Sequence, residues 1–119
     1  MESYKELIVW QKAMLLVKEI YNLIKVLPKN EIYVLSDQMR RAAVSIPSNI
    51  AEGYGRKSTN DYIRFLNIAR ASKYELETQI HICIMLNYIS DEQAKTILDL
   101  SQEIGRMLNA LIKKLSSPN

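Results

Sequence analysis

Residues 39–56, MRRAAVSIPSNIAEGYGR, decide how this chain is read. With Leu35 ahead of them, Met39, Ala42 or Ala43, Ile46 and Ile50 recur at intervals of three and four, the apolar rhythm of one helix face. Pro47 falls inside that rhythm. It has no amide proton and crowds the carbonyl four residues back, so the spacing predicts a helix that kinks there and continues. Ser36 is placed to cap the start. Gly53 and Gly55 end the run.

Working outward, a first helix is expected from Tyr4 or Lys5 to Leu27. Trp10, Met14, Val17, Tyr21 and Ile24 form its core stripe, and Ala13, Leu16, Ile20, Leu23 and Leu27 form a second stripe beside it. Together they make a face wider than one neighbouring helix covers. Pro28 closes the helix by excluding helical geometry from the residue before it. Lys29 to Leu35 reads as a connector with at most a short helical turn.

Downstream, Ser58 with Asp61 opens a third helix. Its stripe is Tyr62, Phe65 or Leu66, Ala69, Ser72, Leu76, Ile80, Cys83 and Asn87. Ser90 with Gln93 is a capping box for a fourth, striped by Ala94, Ile97, Ser101, Ile104, Leu108, Leu111 and Leu115. Lys113 and Lys114 lie in its last turn, where they suit the helix dipole. Four helices with short connections predict an all-α, up-and-down four-helix bundle, a single domain over residues 1–119.

Helix three adds an expectation about assembly. From Ile80 it reads IHICIMLNYI, apolar on both faces. Ile68, Ile82, Met85, Leu86 and Ile89 are its candidate oligomer contacts, since soluble proteins avoid wetting such a surface.

The bulk numbers exclude more than they assign. The 119 residues are 48% hydrophobic and 24% charged, an ordinary globular balance. No apolar run reaches membrane-spanning length, and acidic residues near the start interrupt any signal-peptide core. One cysteine, Cys83, permits no internal disulfide, and the expected location is cytoplasmic. Net charge is +3 and the pI is near 9.0. Its distribution is uneven: Arg40, Arg41, Arg56, Lys57, Arg64, Arg70 and Lys73 face only Glu52 and Asp61, so that segment carries +5 and the remainder −2. Such a field attracts phosphates, and those seven are the candidate nucleic-acid-binding residues. Arg56 and Lys57 lead them, being in a loop. Of Arg40 and Arg41, one is expected to pair with Glu52 or Asp61.

Catalytic chemistry has little support. His81 is the sole histidine, Cys83 has no partner in sequence, and Glu75 and Glu77 diverge on a helix. Gly53-Tyr54-Gly55-Arg56-Lys57-Ser58 resembles the end of a phosphate-binding loop, yet lacks its glycine spacing and follows a helix. The expectation is no enzyme, no cofactor and no metal.

The run Gln38–Gly53 strongly resembles the four-helix-bundle proteins encoded by 23S rRNA intervening sequences. So do Phe65-Leu66-Asn67-Ile68-Ala69-Arg70-Ala71-Ser72, then Glu75-Leu76-Glu77-Thr78-Gln79, and the opening Leu7-Ile8-Val9-Trp10-Gln11-Lys12-Ala13. The chain departs from the family pattern at Ala71, where glycine is frequent, and at Lys73, where an apolar residue is common. The resemblance implies a left-handed bundle that assembles as a ring-like homopentamer without established enzymatic activity. It also implies kinship with the accessory variability protein of diversity-generating retroelements, which binds nucleic acid and a reverse transcriptase. Two functions follow as expectations. One is binding of RNA or DNA, structured RNA foremost, through phosphate contacts on a basic surface. The alternative is an oligomeric scaffold that docks another protein, such as a reverse transcriptase, with Tyr54, Tyr74 and Tyr88 as anchors.

Overall fold

The computed structural model describes residues 3–117, and those residues form four long helices. They are α1 (Ile8–Leu23), α2 (Leu35–Tyr54), α3 (Thr59–Met85) and α4 (Asp91–Ser116), with 3₁₀ turns at Tyr4–Glu6, Ile24–Val26 and Lys29–Glu31. The molecule measures 49 × 23 × 20 Å. At 1.5 Å per residue α3 alone spans about 40 Å, so the helices lie along the long axis.

Cross-helix pairs fix the topology. Met39 meets Cys83 and Ser45 meets Ser72 between α2 and α3. Glu77 meets Ser101 and Arg70 meets Asn109 between α3 and α4, and Lys12 meets Glu103 between α1 and α4. In every interface with two such pairs, numbering rises on one helix as it falls on the other. Each helix packs on its neighbours in sequence, and α1 closes the circle on α4. This is the up-and-down arrangement.

The core is built from the expected stripes with one exchange. Ala13, Leu16, Ile20 and Leu23 of α1 are buried, whereas Met14 and Tyr21 are 45% and 42% exposed. The stripe read as secondary is therefore the core, and Trp10–Val17–Ile24 flanks it. Leu35, Met39, Ala42, Ala43, Ile46 and Ile50 of α2 are all buried, and the helix continues through Pro47 to Tyr54.

The first helix is shorter than expected, Ile8–Leu23 with a 3₁₀ turn before and after it, and three further details differ from the sequence reading. Ser36 does not cap α2; it is buried in the first turn, and Val34 precedes the helix without a side-chain cap. Burying Leu35 contributes about 1.5–3 kcal/mol, which outweighs the roughly 1 kcal/mol of a serine cap. Asn87 is not on the α3 stripe. It lies at φ 61° after the helix end, where Asn87 N–H donates to Ile84 O and Tyr88 N–H to Cys83 O, a Schellman closure. Gly53 does not terminate α2 but sits buried inside its last turn. The caps expected at Ser58 and Ser90 are present, the latter as a reciprocal capping box with Gln93.

Cys83 is fully buried, its thiol 3.7 Å from Met39 Sδ. Burial, and secondarily the Glu31 carboxylate, push its pKa from 9.0 up to about 11. The folded chain thus holds this proton after the unfolded chain has released it. The contribution to stability is complete below pH 9 and is lost between pH 9 and about 11. We expect urea midpoints to fall over that window, and to fall less in Cys83→Ala. At pH 8 the native thiol should react with a disulfide reagent only at the rate of unfolding.

Candidate functional site

The turn between α2 and α3 gathers three of the seven candidate cations. Gly55 caps α2 in helical geometry, Arg56 N–H donates to Gly53 O at 3.0 Å, and Ser58 Oγ accepts from Asp61 N–H at 3.1 Å. This tight connection leaves residues 55–60 exposed. The Arg56 and Arg64 guanidinium carbons each lie 4.5 Å from the centroid of the Phe65 ring. Twice that distance, 9 Å, is therefore the most that can separate them. The two cations cover a ring that is only 7% exposed. Each cation–π contact at such a site contributes about 0.5–1 kcal/mol, and that attraction holds two like charges near each other.

Arg64 also reaches Asp61 at 3.5 Å, whereas among the described residues neither Arg56 nor Lys57 has a carboxylate within 4 Å. Beside them, the Tyr54 and Tyr62 rings meet edge to face, with centroids 6.1 Å apart. Burial, then the neighbouring Tyr54, raise the Tyr62 phenol above its ordinary pKa.

The other four candidates lie elsewhere. Arg40 and Arg41 are roughly 20 Å along α2 from this turn. Both turn to Asp37, at 3.8 and 3.3 Å, and Arg40 donates to Ile32 O as well. Their carboxylate partner is thus Asp37, one helical turn back, rather than Glu52 or Asp61. Arg41 keeps 80% of its side chain in solvent. Arg70 donates to Asn109 Oδ1 at 2.8 Å and bridges α3 to α4.

Lys73 corrects the sequence reading outright. It is 4% exposed, and its ammonium donates to Glu77 Oε2 at 2.9 Å beside the Tyr74 ring. Glu77 Oε2 also accepts from Ser101 Oγ at 2.6 Å. A lysine spent in this way is not available to a phosphate.

The expected oligomer contacts divide similarly. Met85, Leu86 and Ile68 are exposed, at 70%, 44% and 38%, but Ile68 stands about 25 Å along α3 from Met85. Ile82 is half-buried against the core, and Ile89, at 5%, belongs to the core itself because the chain turns inward after Asn87. Sequence reasoning missed a further apolar surface. Trp10, Met14, Val17, Val44, Pro47 and Ala51 line a cleft of about 310 Å³ between α1 and α2. A second cleft of about 380 Å³ continues from Val44 to Tyr21, Arg40 and Arg41. The width of the double stripe on α1 was its signal.

A further cleft of about 530 Å³ between α1 and α4 carries Glu19 and Glu92, the wrong sign for phosphate. His81 is exposed while the Cys83 thiol turns inward onto Met39, so these neighbours do not form a pair. Among the described residues, no group of three or more His, Cys, Asp or Glu side chains is placed to hold a metal, and no helix is long and apolar enough to cross a membrane.

Against this geometry the comparisons are specific. The profile described as 23S rRNA-intervening sequence protein matches residues 5–110. The chain belongs to that family. A crystal structure from Bacteroides thetaiotaomicron VPI-5482, of a protein with unknown function from the S23 ribosomal protein family, superposes with a TM-score of 0.83. The two are 34% identical over 89% of this chain and 99% of the other. No curated protein matches. As an intervening-sequence family protein, the chain has the all-helical, four-helix architecture that its helix-two motif implied.

Proposed function

We propose that this intervening-sequence family protein is a non-enzymatic, cytoplasmic homo-oligomer that binds nucleic acid by phosphate contacts, structured RNA foremost. One observation carries the reading: Arg56, Lys57 and Arg64 converge on an exposed turn, and two of them have no acidic partner among the described residues. Arg41 is an auxiliary cation. The preference for RNA draws on the family's name alone. Assembly into a ring-like homopentamer would repeat the turn five times, raising avidity without any base readout. Met85 and Leu86 offer apolar surface to such an assembly.

The double charge reversal Arg56→Glu, Lys57→Glu tests this. In a salt series with a structured RNA, we expect affinity to drop at least tenfold at 50 mM salt. The slope of log K against log salt should flatten by about two or more, roughly one for each lost phosphate contact. Unchanged affinity and slope would refute the assignment of the turn. A second reading is a scaffold that docks another protein, such as a reverse transcriptase. The apolar α1/α2 cleft favours it, and the same reversal should leave docking there intact.

A further inference from the structure

The α2–α3 turn holds more than charge. Between residues 54 and 65 stand Tyr54, Tyr62 and Phe65, together with two guanidinium groups fixed on the Phe65 ring. Guanidinium forks grip phosphates bidentately as well as stacking on rings, but a surface that only neutralises phosphates has no use for tyrosine rings beside its cations. Arg56 and Arg64 sit beside these rings, and Lys57, which has no carboxylate within 4 Å among the described residues, lies between them in sequence. We propose that this turn binds unpaired nucleotides, stacking bases on its guanidinium and tyrosine surfaces while Lys57 takes the backbone phosphates.

The argument rests on the nucleic-acid reading above and narrows its ligand. In a duplex the base faces are stacked on one another, so only phosphates and groove edges are offered. The deep, narrow major groove of double-stranded RNA further excludes side chains. The ring faces of the turn would then add nothing, and its guanidinium groups would contribute only phosphate contacts. In loops, bulges and single strands the base faces are open, and aromatic rings and arginine planes are the groups that take them. The turn also has the right placement. It projects from one end of a 49 Å rod rather than along its side, with residues 55–60 exposed. On the α1/α2 face, by contrast, Arg40 and Arg41 are both paired with Asp37.

Restraint strengthens the case. Each arginine has one side against Phe65, and Arg64 is additionally steadied by Asp61, so neither must be ordered when a base arrives. Stacking on a preorganised plane loses less conformational entropy than recruiting a free side chain.

The test compares three probes of equal length and label by fluorescence anisotropy at one salt concentration. They are a mixed-sequence single-stranded RNA, the corresponding RNA duplex, and an abasic strand of the same charge. The protein is the full chain, as wild type and as Arg56→Lys, Arg64→Lys, which keeps both charges and removes both planes; helicity by circular dichroism confirms that the variant is folded. We expect wild type to bind the single strand roughly tenfold or more tightly than either other probe, the size of one good stack. In the lysine variant that ratio should fall to about one. Equal binding of abasic and base-bearing strands by wild type, or a ratio unmoved in the variant, overturns the stacking proposal while leaving phosphate binding in place. Failure of all three probes to bind at low salt overturns the nucleic-acid reading itself.

Discussion

Glu77→Ala should cost about 3–5 kcal/mol of unfolding free energy, which makes it one of the two most damaging single changes we expect. Glu77 is the shared acceptor of a buried network: Lys73 Nζ lies at 2.9 Å and Ser101 Oγ at 2.6 Å from the same oxygen. Only 5% of the Lys73 side chain meets solvent, against 17% for Glu77. Removing the carboxylate leaves an ammonium and a hydroxyl without an acceptor between α3 and α4. The loss is one of desolvation without compensation, not of a surface ion pair, for which less than about 1 kcal/mol would be expected.

The same logic predicts recovery. Replacing all three groups by apolar ones, as Lys73→Met, Glu77→Leu, Ser101→Ala, should restore stability to near wild type, since a buried pair contributes little beyond a well-packed hydrophobic substitute. Urea unfolding of the two variants measures both effects. A loss below 1 kcal/mol for Glu77→Ala would show that the network is hydrated and the burial argument mistaken. Gly105 belongs to the same unit: a Cβ there would lie 2.9 Å from Lys73 Cε and 3.1 Å from Nζ. The glycine makes room for the lysine stem, so the cost of Gly105→Ala should shrink in a Lys73→Ala background.

This network also marks where sequence reading stopped. In the sequence Lys73 groups with the phosphate-binding candidates, because a lysine in a basic segment is ordinarily at the surface. Its burial depends on Glu77 one turn on and on Ser101 and Gly105 from another helix, and a single-chain pattern does not join them. The helices themselves were legible, because burial at intervals of three and four is a local property of each segment. The α1 stripes illustrate the boundary. Both were visible, yet which faces the core depends on where α2 and α4 sit, and that is set by the whole bundle. The Arg56–Phe65–Arg64 arrangement was legible in part. Loop position marked Arg56 and Lys57, but the ring that holds Arg56 and Arg64 together is contributed across a turn.

The second large effect concerns Gly53, and its sign opposes helix propensity. Alanine is favoured over glycine within a helix by about 1 kcal/mol, so Gly53→Ala in the last turn of α2 should stabilise if propensity decided the matter. It should not. A Cβ at Gly53 would lie 2.8 Å from Phe65 Cβ, 3.0 Å from Tyr62 Cδ1 and 3.2 Å from Tyr62 O. One of those atoms is backbone and another is fixed to it, so α2 and α3 must move apart. Overpacking of that kind costs about 1–3 kcal/mol, and Gly53→Val, with two further methyls, should cost more. Gly55 is the control. A Cβ there meets only Glu52 O at 3.6 Å and Ala51 O at 3.8 Å, ordinary contacts, and its φ of −80° suits any residue. Gly55→Ala should therefore be neutral or stabilise by up to about 1 kcal/mol. Thermal unfolding of the two alanine variants separates the explanations, because shifts of the same sign would mean that helix propensity, not the approach of α2 to α3, governs this turn. The contact also reaches the binding reading. Phe65 and Tyr62 are the residues that Gly53 lets α2 approach, and Phe65 is the ring that holds Arg56 and Arg64. A variant that pushes α3 outward should then weaken RNA binding even at temperatures where the bundle stays folded, whereas Gly55→Ala should not.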